Sequence, residues 1–442
     1  MISPKLRAHL YASGLFVVTV TAAYFTYKGA MVIKKPASEL ALIDLPQDVR
    51  DCEYYHGRIP RVEAELSLRV NGEFLLRKAD APNGIYLVLS VRMNDGFLHF
   101  PISQEKDGKF YFEPNFKEAT ITELVAFHKN SETPITKVSK AVITKRVVRP
   151  VWLVKHECLA LVKKLGAGAF GEVFLAQMED PTSPSMLDCA VKSMRQEAST
   201  EARLRFMKEA RMMRKSYQHK HVVMIFGIAV HYQPLLIIME LCPNGDLVSY
   251  LRKNKGNVHP YEKLKFSLEA ADGLSYLEKL GCIHRDVAAR NCLLSAKNEI
   301  KISDFGMADE KILVVDTTLD KMPIKWLAPE TMQEKIYSLK SDIWAFGVML
   351  WEIYSDGEEP YPGLTPVQTR AKIVVQDYRM KMPEGTPKEV IEVVEICWNK
   401  NPEKRGEQNH PAANISLLNT SGTKLSFNTL SGNTTTATST MI

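Results

Sequence analysis

The chain has 442 residues, 45% of them hydrophobic, which is room for two or three folded domains and too much apolar content for a disordered protein. Its formal charge of +6 is modest and spread out, so it argues against a nucleic-acid partner, and the basic residues from Lys137 to Arg149 read as a linker with a solvated face. Seven scattered cysteines, an odd number without metal-ligand spacing, suit free thiols in a reducing cytosol.

Residues 1–49 form an N-terminal segment whose stretch 10–27, Leu10 to Tyr27, is uncharged and mostly apolar. Lys5 and Arg7 flank it on one side and Lys28, Lys34 and Lys35 on the other. As a helix it spans about 27 Å, barely a bilayer core. It reads as a membrane anchor, an organelle-targeting or signal segment, or a packed tail, and positive charge on both flanks leaves its orientation open.

Residues 50–143 read as a small, separate α+β domain. Short β-rich runs, Gly72 to Arg77, Ile85 to Ser90 and Phe97 to Phe100, are separated by Asn, Gly and Asp turns. Arg77 closes an apolar run. A guanidinium at the inner face of a strand needs an anionic partner, and a phosphate supplies one in bidentate geometry; the plainer alternative is a solvated strand end.

After a linker at 144–156, residues 157–408 carry a series of motifs. Gly166-Ala167-Gly168-Ala169-Phe170-Gly171-Glu172-Val173 has the form G-x-G-x-x-G-x-V, in which glycines bring backbone N–H groups against phosphate oxygens. Cys189-Ala190-Val191-Lys192 is a short apolar strand ending in lysine. From Arg203 to Arg214, Leu204, Phe206, Met207, Ala210 and Met213 recur at helical spacing, which predicts an amphipathic helix carrying Glu209. Pro234 to Cys242 predicts a buried strand running into the turn cluster Pro243-Asn244-Gly245-Asp246. Then come His284-Arg285-Asp286-Val287-Ala288-Ala289-Arg290-Asn291 and, soon after, Asp304-Phe305-Gly306.

Together these motifs resemble a protein kinase, which implies a bilobal fold, ATP as phosphate donor and Mg²⁺, with Mn²⁺ an alternative. By that resemblance Gly166, Gly168 and Gly171 cover the nucleotide together with Leu165 and Val173, and Lys192 and Glu209 hold its phosphates. Met239 backs the adenine pocket, and the main chain from Glu240 to Cys242 meets the base edge. Asp286 takes the incoming hydroxyl's proton, Arg290 supports that loop, and Asn291 and Asp304 bind the metal. Arg290 four residues after Asp286 is similar to the tyrosine-kinase form of the loop, and Pro323 to Glu330 agrees. Ser338 to Gly347 resembles the buried helix of the large lobe, with Asp342 bracing the catalytic loop.

The preceding domain resembles a Src-homology-2 (SH2) domain. Tyr55-His56-Gly57 opens it, and Arg61, Arg77 and His99 would form its phosphotyrosine pocket, although Tyr54 stands where Trp is common and Leu76 where Val is usual. An SH2 domain followed directly by a tyrosine kinase is similar to the Fps/Fes/Fer family of non-receptor tyrosine kinases. The resemblance implies an α+β architecture with a β-rich small lobe and a helical large lobe. It also implies tyrosine-containing protein substrates, phosphotyrosine-bearing partners that recruit and activate the enzyme, and a cytoplasmic place, with the cytoplasmic face of a membrane a second option. The competing reading is a catalytically impaired SH2/pseudokinase scaffold.

The sequence departs from that family elsewhere as well. No tyrosine lies between Asp304 and Glu330; Asp309, Glu310, Asp316 and Asp320 offer fixed negative charges for Arg285, and Thr317 and Thr318 are phosphorylatable. Arg405 is placed to pair with Glu330, but Gly406 stands where Pro is expected, and the large lobe reads as truncated thereafter. Residues 409–442 are Ser/Thr/Asn-rich and read as a disordered tail. The family's long membrane-bending region is not seen at the N-terminus.

Overall fold

The computed structural model describes residues 31–32, 47–81, 84–94, 96–168, 171–179, 185–194, 200–215, 219–309, 313–315 and 323–405. The apolar stretch 10–27, the tail 409–442, Gly406 and the activation-loop residues Glu310, Asp316, Thr317, Thr318 and Asp320 lie outside the described residues.

A two-residue strand, β1 (Met31–Val32), comes first, followed by α1 (Gln47–Asp51) and α2 (Arg61–Ser67). Strands β2 (Glu73–Ala81), β3 (Gly84–Met93) and β4 (Gly96–Pro101) then form an antiparallel meander, with Leu76 opposite Leu89 and Ser90 opposite His99. A small hairpin, β5 (Ser103–Gln104) with β6 (Phe110–Tyr111), leads to α3 (Ile121–Asn130), and β7 (Lys145–Arg146) adds in parallel beside β2. Thr120 and Glu123 close the start of α3 with a reciprocal capping box, each side chain bonding the other's backbone N–H at 3.1 Å.

Strand β2 is buried on both faces, which is why Phe74, Leu75, Leu76 and Arg77 read as a continuous run and not an alternation. Phe74 and Leu76 point into a core with Leu89, Ile121 and Leu124. Leu75 points the other way and joins Ile59, Ala64 and Leu68 in a second cluster that continues into the rest of the chain.

The second unit opens with β8 (Leu159–Gly168), β9 (Gly171–Glu179) and β10 (Met186–Met194), followed by α4 (Thr200–Lys215), β11 (Ile225–Ala229) and β12 (Leu236–Glu240). The antiparallel sheet has the order β1-β8-β9-β10-β12-β11. Met31 lies opposite Leu161 and Val32 opposite Ala160, so the N-terminal segment extends this sheet by a strand that side-chain periodicity does not announce. In α4 Phe206, Met207, Ala210 and Met213 are buried as the helical spacing predicts, but Leu204 is 46% exposed and Met212 takes a core position.

The larger lobe is helical. It contains α5 (Leu247–Lys253), α6 (Pro260–Lys279), the hairpin β13 (Cys292–Leu294) with β14 (Ile300–Ile302), β15 (Val314–Val315), α7 (Pro329–Glu334), β16 (Ile336–Tyr337), α8 (Leu339–Tyr354), α9 (Pro366–Gln376) and α10 (Lys388–Cys397). Every side chain of α8 from Ser341 to Tyr354 is buried, so this helix is the lobe's central post. The seven cysteines are all among the described residues and none is bridged. No helix among the described residues is long and apolar enough to cross a membrane.

The two units share a core. Ile59, Ala64, Leu68 and Leu75 of the first pack in one apolar cluster with Met207, Ala210 and Met213 of α4. Arg58 N–H donates to Val230 O at 2.7 Å. Gly57, at φ +78°, sits so close that a Cβ would lie 2.9 Å from both Val230 O and His231 Cδ2, so glycine is needed there for space as well as conformation.

Candidate active site

Between the lobes, β10 and α4 present the predicted pair: Lys192 Nζ lies 2.5 Å from Glu209 Oε1 and 3.3 Å from Asp304 Oδ1. Burial alone would lower the Lys192 ammonium, but the Glu209 and Asp304 carboxylates outweigh it and push it up, so the lysine is a fixed cation. Asp304 is likewise held below the usual carboxylate range, because Lys192 outweighs its own burial. Asp304 adopts the left-handed conformation, φ 62°, which turns its carboxylate into the cleft.

The loop His284 to Asn291 is suspended from α8. Asp342 accepts from His284 N–H at 2.6 Å and Arg285 N–H at 2.9 Å, and His284 bonds Ser303 O at 3.0 Å. A brace the sequence did not reveal is Glu352, 2% exposed, whose Oε2 accepts from Ala289 N–H at 3.0 Å and Trp326 Nε1–H at 2.9 Å. Burial raises its carboxyl to about 7. Nothing in the run of apolar residues around Glu352 marks it out beforehand.

Within that frame Asp286 is held from both sides. Arg290 Nη2 donates to its Oδ1, Asn291 Nδ2 donates to its Oδ2 at 2.7 Å, and the Arg290 guanidinium stacks 4.4 Å from the Trp326 ring. Trp326 belongs to the Pro323 to Glu330 run, so that run and the loop are physically joined. With its amide nitrogen turned to Asp286, Asn291 keeps Oδ1 as an oxygen donor, and Asp304 adds a carboxylate. One carboxylate and one carbonyl oxygen beside a nucleotide's phosphates fit a divalent cation of Mg²⁺ type, which takes few protein ligands.

On the small-lobe side, Gly166 pairs with Val173 and Gly168 with Gly171 across the β8–β9 turn. A Cβ on Gly171 would lie 1.7 Å from Ser193 O, so only glycine permits this approach. Leu165 is half exposed, Val173 half-buried, Met239 buried in the core and Cys242 half-buried. The Glu240 side chain is engaged by Met224 N–H at 2.7 Å and Lys301 Nζ at 2.9 Å, and its own N–H donates to Met224 O at 2.9 Å. Of the charges considered for Arg285, Asp309 is ion-paired with Lys208 of α4 at 2.6 Å. Arg285 lies 4.2 Å over the buried Tyr337 ring and donates to Met307 O at 3.3 Å.

In the first unit the structure brings Arg61, Arg77 and His99 into one side-chain cluster. Arg77 is 4% exposed, with Nε donating to Ser90 Oγ at 3.0 Å and Nη1 to Ile59 O at 3.2 Å, and burial lowers its guanidinium to about 10. His99 Nδ1 contacts the same Ser90 Oγ at 3.0 Å. The sequence did not flag Glu65, whose Oε1 lies 2.6 Å from Arg61 Nε and 3.1 Å from His99 Nε2.

Residues 54–128 match the SH2 domain model, and residues 159–412 match the model of protein tyrosine and serine/threonine kinases. The chain is 58% identical over 362 residues to Fer-related kinase 1 of Caenorhabditis elegans, covering 81% of this chain and 91% of that one. It is 38% identical over 386 residues to tyrosine-protein kinase Fer of Homo sapiens, and 38% over 355 residues to the transforming protein Fps of avian sarcoma virus (strain PRCII). These alignments cover 85% and 80% of this chain but 46% and 65% of the relatives, so the chain spans about half the length of human Fer. The chain therefore belongs to the Fer/Fps family of non-receptor protein tyrosine kinases, which join an SH2 domain to a kinase domain.

Proposed function

We propose that the chain transfers the γ-phosphate of ATP to tyrosine through Asp286, Arg290, Lys192 and Glu209, under control of its own SH2 pocket. The observation that carries this reading is Asp286, pinned by Arg290 and Asn291 on a loop hung from Asp342 and Glu352. A carboxylate fixed in that way accepts the tyrosine proton without reorganising, and Lys192 and Glu209 hold the phosphates in line. Mg²⁺ held by Asn291 and Asp304 would neutralise charge developing on the phosphates. Leu165, Gly166, Gly168, Gly171 and Val173 roof the nucleotide, while Met239 and the main chain from Glu240 to Cys242 receive the adenine.

Arg61, Arg77 and His99 receive phosphotyrosine from a partner protein. Because α2 and β2 share a core with α4, ligand binding there stabilises the position of Glu209, which supports recruitment and activation by one event. Need for ATP and seven unbridged thiols support a cytoplasmic site of action. Membrane contact through residues 10–27 remains a separate proposal, tested by vesicle flotation of the full chain.

The deciding experiment is phosphorylation of a poly-Glu/Tyr peptide by the full chain. Asp286→Asn is expected to lower kcat by about 10²- to 10⁴-fold. A phosphotyrosine peptide is expected to raise the wild-type rate and leave Arg77→Met unchanged. A folded wild-type chain without incorporation would overturn the enzyme reading.

A further inference from the structure

The pocket assigned to phosphotyrosine already contains an anion of the chain's own. Glu65 lies one helical turn after Arg61 on α2, is half-buried, and turns Oε1 toward the same groups that a phosphate needs. One continuous relay satisfies the cluster. Arg77 Nε–H donates to Ser90 Oγ, the Ser90 hydroxyl donates to His99 Nδ1, and His99 Nε2–H and Arg61 Nε–H both donate to Glu65 Oε1. That pattern needs His99 neutral, and burial does lower its imidazole. The other nearby carboxylate, Asp80, is occupied by Arg58 at 2.5 Å and Arg203 at 3.1 Å, so it does not compete for this position.

We propose that Glu65 is an internal competitor for the phosphotyrosine pocket, displaced when a phosphate monoester binds, and that it sets how much ligand is needed to occupy the domain. The inference rests on the phosphotyrosine reading of Arg61, Arg77 and His99. Two guanidiniums match the two negative charges of a phosphate monoester. Glu65 cancels one of them in the resting pocket, and its carboxylate holds the two donors that the ligand must take over. The resting pocket is therefore pre-formed, since donors and relay are already oriented, and attenuated, since the incoming dianion must break two charge-assisted contacts. The pocket distinguishes a dianion, which out-competes a carboxylate, from a monoanion of similar shape.

The test titrates the full chain with phenyl phosphate and with phenyl sulfate, its monoanionic counterpart. Wild type, Glu65→Gln, Glu65→Asp and Arg77→Met are compared, with melting temperature as a check on folding. Glu65→Gln should tighten phenyl phosphate by about tenfold, because a like charge leaves and Arg61 is released. It should tighten phenyl sulfate by less. Glu65→Asp, shorter by one methylene, should fall between and serves if the glutamine variant is unstable. Unchanged or weaker binding in both Glu65 variants, with binding still lost in Arg77→Met, would overturn the competitor role and leave the pocket intact. Binding insensitive to Arg77→Met would overturn the pocket assignment and the inference with it.

Discussion

Arg211 of α4 donates through Nη1 to Glu63 Oε1 of α2 at 3.0 Å, two residues after Arg61 and two residues from Glu209 on the partner helix. One ion pair thus links the helix that carries Arg61, proposed above as a phosphotyrosine ligand, to the helix that carries the partner of Lys192. A second, Arg203 with Asp80, ties the other end of α4 to the end of β2. Arg211→Glu is expected to lower kcat severalfold and to weaken stimulation by phosphotyrosine peptide, since a partly exposed pair is worth about 1 kcal/mol. Combining it with Glu63→Arg should restore most of the loss. Failure of the swap to restore stimulation would mean that apolar packing alone couples the domains.

The Lys208–Asp309 pair joins the residue before Glu209 to the segment after Asp304-Phe305-Gly306, at 2.6 Å. Asp309 also exchanges both backbone hydrogen bonds with Ile283, so the pair fastens α4 to the residue just before the His284 to Asn291 loop. This is a positioning contact. Lys208→Met should reduce kcat about threefold while leaving KM for the peptide nearly unchanged, and Asp309→Lys with Lys208→Asp should recover it. A loss confined to KM would argue against a role in aligning Glu209.

The order Gly166, Lys192, Glu209, Asp286, Asp304 was legible because each residue sits in a short motif whose backbone context is local: a turn, a strand end, a helix face. Strand β2 was legible for the same reason. What escaped were contacts between distant segments. Glu352 is a single carboxylate with no local pattern, and only the fold shows that it faces Ala289; Glu65 lies one helical turn from Arg61, but only the fold brings His99 to the same carboxylate. Leu204 belongs to the same helical run yet is exposed, while Phe206, Met207, Ala210, Met212 and Met213 form the buried face of α4. Strand β1 is recruited through backbone pairing with Leu161 and Ala160, which leaves no trace in side-chain pattern.

Three buried histidines cluster at the junction of the domains. His231 Nε2 accepts from Arg149 Nη1 at 3.2 Å, which only an unprotonated ring allows, and burial with the Arg149 charge lowers it to about 3. His56 and His156 donate to Val147 O and Pro234 O, each at 2.9 Å, and burial lowers both to about 4. The unfolded chain, with imidazoles near 6.5, binds more protons than the folded one between pH 6.5 and 4, so stability from these rings is present above 6.5 and is lost as pH falls. The carboxyls of Asp342 and Glu352, raised by burial to about 6 and about 7, oppose this in the large lobe. A difference measurement isolates the junction. His231→Gln, whose amide oxygen can still accept from Arg149, should lose about 1.5 kcal/mol less stability than wild type between pH 6.5 and 5, followed by denaturant unfolding. Parallel curves for the two proteins would show that His231 titrates normally.

Arg405 is fully buried and holds Glu330 with two parallel bonds, Nη1 to Oε1 at 2.6 Å and Nη2 to Oε2 at 2.9 Å. Its remaining donors reach Asn399 O at 2.7 Å, Lys340 O at 3.1 Å and Lys400 O at 3.3 Å, so the guanidinium is saturated and fastens α7, α8 and the segment after α10 together. Removing one charge leaves the other stranded in a low-dielectric site, which costs far more than the pair contributes as a whole. Glu330→Gln is therefore expected to destabilise the large lobe by about 3 kcal/mol. Replacing both partners, Glu330→Gln with Arg405→Met, should cost less than the sum of the single changes, because no uncompensated charge is left behind. Thermal unfolding of the four proteins decides this: strictly additive losses would mean that Arg405 acts by packing against Trp344, whose ring lies 5.1 Å away, and not through its charge.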